Sequence, residues 1–142
     1  MSSFSASRSP CPIGRASRVL GDRWALLVLR EAFLGVDRFD TFIERLPISR
    51  AALTSRLKML VHAGIMERQP PTGKRATYRL TKAGEDLFPT LTALRQWADR
   101  WLFEEGHKPL PLHTRFDEDV APVIVTTSTG RRIEAADRRA ST

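Results

Sequence analysis

Between Phe39 and Leu80 the chain carries two short helical patterns, a basic face, and a Pro/Gly/Lys/Arg turn between two strand-like runs. The centre of this stretch is Ser49 to Ala63, SRAALTSRLKMLVHA. Leu53, Leu57, Leu60 and Val61 recur at the spacing of one buried helix face, whereas Arg50, Thr54, Ser55, Arg56 and Lys58 fall largely off it. One side packs; the other is polar and positive.

The chain before this stretch reads as helical support. Proline suits the first turn of a helix, where its missing N–H is not needed, so Cys11-Pro12 opens a helix whose buried stripe is Ile13, Ala16, Val19 and Leu20. Gly21 ends it and Asp22 caps the next, in which Trp24 to Leu34 are apolar almost all round, as in a central core helix. Gly35 stops that helix, and Asp37 is placed to cap a third with Phe39, Phe42, Ile43 and Leu46 inward. Pro47-Ile48 makes a tight corner and Ser49 caps the fourth helix.

After Gly64 the period changes to two. Ile65, Glu67 and Gln69 begin an extended run, Thr72-Gly73-Lys74-Arg75 forms a tip, and Ala76 to Leu80 alternates Tyr78 and Leu80 against Thr77 and Arg79. Thr81 caps a long helix expected over Lys82 to Glu104, bent by Pro89, with Leu87, Leu91, Leu94, Ala98 and Trp101 on one side. Trp97, Trp101, Leu102 and Phe103 are more apolar surface than one small domain covers, which points to a second subunit. The expected organisation is a disordered tail at 1–9, a domain at 10–104, and an extension at 105–142 with a hairpin at 121–135 and a mobile end.

Charge narrows the partner. Against 16 acidic residues stand 23 basic ones, a net charge of +7, which favours an anionic partner, nucleic acid being the commonest. No apolar run approaches the roughly 18 residues of a bilayer span, so no membrane role is expected. The Ser-rich start lacks the apolar core of a secretory signal, so the expected location is cytoplasmic. With Cys11 as the single cysteine, neither an intramolecular disulfide nor a cysteine-rich zinc site can form.

A helix, a tight turn and a second helix with basic polar positions in its first turns can lay that second helix in the major groove. There Arg50, Thr54, Ser55 and Arg56 would meet base edges or phosphates, arginine by a bidentate grip on guanine and Ser or Thr on either. The hairpin with Lys74 and Arg75 would reach the flanking backbone or minor groove as a wing. The candidate DNA-binding set is Arg38, Ser49, Arg50, Thr54, Ser55, Arg56, Lys58, Lys74 and Arg75. The bland alternative, solvated charge on a surface helix and loop, fits any one of these residues but fits the ordered set less well.

The pieces Cys11-Pro12, Gly21-Asp22-Arg23-Trp24, Arg38-Phe39, Leu53-Thr54-Ser55-Arg56-Leu57-Lys58, Gly64-Ile65-Met66-Glu67-Arg68 and Tyr78-Arg79-Leu80-Thr81-Lys82-Ala83-Gly84 occur in order. Together they resemble the HxlR family of bacterial winged helix-turn-helix regulators, from about Cys11 to Trp101. The resemblance implies a mainly α (α+β) fold, a winged helix-turn-helix with a long C-terminal dimerisation helix, here followed by a small β-hairpin. It also implies a homodimeric transcription factor, more a repressor than an activator, on a near-palindromic operator. Two departures lie where DNA is read: Ala51 stands where relatives often carry a basic residue, and Pro70-Pro71 comes early in a shorter wing.

Several relatives sense oxidants or electrophiles through a cysteine at the Cys-Pro position. Cys11, at a helix N-terminus near Arg8 and Arg15, is of the reactive kind, or else a small residue packed at a dimer seam. Trp97 and Trp101 are interface residues or line an apolar pocket for a quinone-like effector. Some longer relatives end in a zinc-ribbon-like hairpin with paired cysteines; those are missing here, leaving His113, so no metal and no cofactor is expected.

Enzyme chemistry finds no support. His62, His107 and His113 are scattered, Asp117-Glu118-Asp119 lacks the spacing of a cation loop, and Gly-rich phosphate loops are missing. The competing reading from another class is a winged helix that uses its basic face to bind acidic proteins.

Overall fold

The computed structural model describes residues 10–108, 112 and 114–139. The expected tail at 1–9, His113, and residues 140–142 of the expected mobile end lie outside the described residues. The chain divides into two compact units, with the boundary between Phe88 and Pro89.

In the first unit, four helices precede a two-stranded sheet: α1 (Pro12–Leu20), α2 (Arg23–Phe33), α3 (Phe39–Arg45), α4 (Arg50–His62), β1 (Met66–Gln69) and β2 (Thr77–Leu80), then the short α5 (Lys82–Glu85). Asp22 caps α2 through its side chain, accepting from the N–H groups of Trp24 at 2.7 Å and Ala25 at 3.3 Å. Ser49 caps α4 by accepting from Ala52 N–H at 3.1 Å. The core is made where the apolar faces of α2, α3, α4 and β1 meet: Ala25, Val28, Leu29, Phe42, Leu46, Leu53, Leu57, Leu60 and Met66 are buried. The strands pair antiparallel with Arg68 opposite Tyr78 and Gln69 opposite Thr77.

Buried among these apolar groups is one charge. Glu31, 3% exposed, accepts from Arg30 at 2.9 Å and from Arg45 at 2.5 Å, which ties α2 to the end of α3. Burial alone would push this carboxyl up, but the hydrogen bonds and charges of Arg45 and Arg30 outweigh it and hold Glu31 below its ordinary value.

Several expectations change. No residue of α1 is fully buried: Ile13, 77% exposed, and Ala16 are uncovered within this chain, whereas Val19 and Leu20 are half-buried, so only the end of the expected stripe packs. Asp37 does not cap α3, which begins after Arg38 without a side-chain cap. Instead its carbonyl accepts from Tyr78 N–H at 2.7 Å and its carboxylate pairs with Arg79 at 3.4 Å, while Arg38 makes an isolated antiparallel bridge to Thr77, so the segment before α3 is tied to the edge of the two-stranded sheet.

The long helix expected over Lys82 to Glu104 is two: α5, and α6 (Phe88–Trp101). A proline inside a continuous helix removes one hydrogen bond and collides with the carbonyl four residues back; near a new N-terminus it does neither, so Pro89 starts α6 instead of bending α5. Thr81 does cap α5, accepting from Gly84 N–H at 3.2 Å. Gly84 has no room for a side chain, because a Cβ there would lie 2.2 Å from the Ile65 carbonyl oxygen.

The second unit holds most of α6 and the extension. The expected hairpin is present in shorter form as β3 (Val125–Thr126) and β4 (Arg132–Ile133), paired antiparallel around a Ser/Thr/Gly turn. Gln96 on α6 donates to Ala121 O at 3.0 Å and accepts from Val123 N–H at 2.7 Å, which pins the extension along one face of the helix. The other face keeps Leu94, Trp97 and Trp101 exposed, followed by Leu102 and Phe103. No helix among the described residues is long and apolar enough to cross a membrane.

Candidate nucleic-acid interface

Helix α4 stands with one face in the core and the other in solvent. Leu53, Leu57 and Leu60 are buried, whereas Arg50, Ala51, Thr54, Ser55, Lys58 and His62 are exposed and follow one another at helical spacing. This is a short, mostly uncharged polar ridge with a cation near each end. Arg50 stacks over Phe39, 4.9 Å from the ring centre, and lies 3.5 Å from Asp40. Both partners of that ion pair are largely exposed, so it holds Arg50 weakly and leaves it available to an incoming anion.

Arg56 is placed differently. Its guanidinium lies 3.0 Å from Asp22, both side chains about one-third exposed, and its Nε is buried without a hydrogen-bond partner. It therefore braces α4 against the start of α2 rather than joining the exposed ridge. The expectation that Arg56 falls off the buried face is corrected here, and the sequence carried the signal: Arg56 stands three residues after Leu53 and four before Leu60, at the edge of the buried stripe.

Arg38 and Ser49 also spend their polar groups internally. Ser49 Oγ caps α4, and the Arg38 guanidinium donates to the Arg75 carbonyl oxygen at 2.9 Å. Lys74 and Arg75 are exposed at the wing tip, Arg75 in the left-handed region at φ 57°, two residues after Gly73 at φ 96°. Reversing the chain within so short a loop forces such angles; glycine adopts them at no steric cost, and Arg75 is held there by the bond from Arg38 to its carbonyl.

Arg68 was not singled out from the sequence, yet it organises the wing. From β1 its guanidinium donates to Tyr78 Oη at 3.2 Å, to the Pro70 carbonyl at 2.6 Å, and to the Gly73 carbonyl. It also lies over the Tyr78 ring, 5.9 Å from its centre. Between α4 and the wing runs an open cleft of about 480 Å³ lined by Thr54, Lys58, His62, Arg68, Pro71 and Tyr78. Its rim is cationic and its walls carry hydroxyls, which suits a phosphate-bearing strand.

The remaining candidates lie apart from this face. Cys11 is the N-terminal flank of α1 and is exposed. Trp97 and Trp101 are exposed at 53% and 68% in the second unit, and they do not line the shallow cavity there, which is bounded by Thr92, Arg95, Gln96, Asp99, Leu112, Asp119 and Val120. Among the described residues no three His, Cys, Asp or Glu side chains converge as a metal site.

Comparison with known proteins agrees with this geometry. Residues 19–106 match the family described as HxlR-like helix-turn-helix. An uncharacterized HTH-type transcriptional regulator of Mycobacterium tuberculosis is 43% identical over 126 residues, 87% of this chain and 80% of the relative. The crystal structure of PA1607, a candidate transcription factor, superposes with a TM-score of 0.87 at 35% identity, over 96% of this chain and 98% of that one. Quinone-bound YodB of Bacillus subtilis superposes with a TM-score of 0.56 at 34% identity, over 64% of this chain and 99% of that one.

Proposed function

This chain belongs to the HxlR-like helix-turn-helix family and is a transcriptional regulator of the winged-helix type; on that premise we propose that it acts as a homodimeric, sequence-specific DNA-binding repressor. The observation that carries the proposal is the division of α4, with Leu53, Leu57 and Leu60 in the core and Arg50, Thr54, Ser55 and Lys58 in solvent beside a basic wing. In this reading α4 enters the major groove, Thr54, Ser55 and Lys58 face base edges and phosphates, and Arg50 swings from Asp40 to the backbone. Lys74 and Arg75 reach the flanking backbone. Arg38, Ser49 and Arg56 serve the same interface indirectly, as braces.

Dimerisation is supported by two uncovered apolar sets. One is Ile13 with Ala16 in the first half of α1; the other is Leu94, Trp97, Trp101, Leu102 and Phe103 on and after α6. A second copy covering them would also fix two α4 helices about one DNA turn, roughly 34 Å, apart and so demand a near-palindromic operator.

Release would follow from a change in that dimer. YodB has been solved with a quinone bound, and this supports an electrophilic or quinone-like effector here, acting at exposed Cys11 or against Trp97 and Trp101.

The test is a gel shift with the promoter of the chain's own gene and of its divergent neighbour, against a scrambled duplex of equal length. Selective retardation of a promoter supports the proposal. Equal affinity for both duplexes contradicts it and favours a basic module that binds acidic proteins.

A further inference from the structure

We infer that Arg68 and Arg38 are positioning residues that together clamp the wing tip, so that Lys74 and Arg75 are presented to DNA in a preformed geometry. This rests on the DNA-binding reading above. The grip comes from two sides. From β1, Arg68 spans the loop and donates to the carbonyls of Pro70, at 2.6 Å, and Gly73, its shaft fixed by Tyr78 Oη at 3.2 Å. From the segment before α3, Arg38 donates to the Arg75 carbonyl at 2.9 Å and is itself held by its bridge to Thr77.

Three carbonyls of the seven-residue loop at 70–76, those of Pro70, Gly73 and Arg75, thus accept from guanidinium groups. Each such bond is charge-assisted, and the forked guanidinium reaches two or three acceptors at once, which an ammonium cannot do. A loop ordered before binding loses little freedom on contact with DNA, so its cations contribute more of their attraction to affinity. Arg68 and Arg38 are themselves cations, but these donors are engaged by Tyr78 and by the carbonyls of the loop, and in this inference they act on DNA through Lys74 and Arg75.

Two measurements on Arg68→Lys and Arg68→Gln test this. In the free protein, trypsin cleavage after Lys74 and Arg75, followed by mass spectrometry, reports tip order without DNA. Both variants should be cut about tenfold faster than wild type at unchanged thermal stability, since tip opening no longer breaks the equivalent of one to two net hydrogen bonds. Cleavage at the wild-type rate overturns the clamp whether or not the protein binds DNA.

The second measurement is affinity for the retained promoter duplex in the presence and absence of Lys74→Ala/Arg75→Ala. Either Arg68 variant should weaken binding about fivefold to tenfold alone, yet add little once the tip cations are gone. Full affinity in Arg68→Lys, or effects that simply add, would mean that Arg68 acts by its own charge and would overturn the positioning role. Arg38→Gln, which is exposed and safe for the core, should repeat the pattern. Loss of promoter selectivity in wild type would instead remove the DNA-binding reading, leaving the cleavage result to judge the clamp.

Discussion

The carboxylate of Asp22 does two jobs with its two oxygens: Oδ1 caps α2, and Oδ2 lies 3.0 Å from the Arg56 guanidinium of α4. The corner between α1 and α2 and the proposed recognition helix are therefore joined by one side-chain pair. Partial exposure limits its worth to stability to about 0.5–1 kcal/mol. Its main effect is on where α4 sits.

Asp22→Ser keeps a capping oxygen but is too short to reach Arg56, and it also removes a negative charge. Charge alone would tighten DNA binding. The pairing account predicts the opposite, roughly fivefold weaker binding to the promoter duplex with a melting temperature within a few degrees of wild type. Tighter binding in an anisotropy titration would show that the pair does not position α4.

The ridge and the wing should separate in their response to salt. Thr54→Ala or Lys58→Ala should cost about 1–3 kcal/mol on the promoter and much less on scrambled DNA, as expected of groups near base edges. Lys74→Ala should weaken both duplexes alike and lower the slope of log affinity against log salt by about one. Titrations at several salt concentrations on both duplexes distinguish the two behaviours.

Glu31 gives a pH dependence whose sign follows from its lowered value in the folded chain. The unfolded chain binds the proton more readily, so the stabilisation is fully present above the ordinary value of 4.5 and is lost as pH falls through the lower folded value. Glu31→Gln should flatten urea-measured stability between about pH 5 and 3 and cost about 1–2 kcal/mol at neutral pH, less than a fully buried pair because Arg30 and Arg45 reach water. An unchanged acid slope in the variant would remove Glu31 from this role.

Modification of Cys11 by diamide or a quinone should weaken promoter binding several-fold, and Cys11→Ser should abolish the response while binding DNA normally. Mass spectrometry of the treated protein checks the adduct. Unaltered binding by a fully modified protein would exclude thiol control.

Much of the fold was legible because local signals agreed. Asp22, Ser49 and Thr81 were read as caps and act as caps, and Leu53, Leu57 and Leu60 form the buried face of α4. The misread polar groups share one physical origin, their dependence on partners distant in sequence. Asp37 looked like a cap, but β2 supplies Arg79 and Tyr78 from more than 40 residues away as competing partners. Arg56 was grouped with the exposed polar face because arginine is usually exposed; Asp22, far upstream, makes its half-buried position tolerable. Arg68 sat unnoticed between Glu67 and Gln69, since only the register that sets it opposite Tyr78 turns it toward the loop. Pro89 was read as a bend, although a proline can as well begin a helix as distort one.

The central claim, that two copies present α4 and the wing to one operator, is tested most directly by hydroxyl-radical footprinting across the promoter of the chain's own gene. The account predicts two protected half-sites with centres about 10 base pairs apart, lost together in Thr54→Ala/Lys58→Ala. A single protected half-site, or uniform protection that appears only at concentrations where scrambled DNA is equally covered, would contradict it.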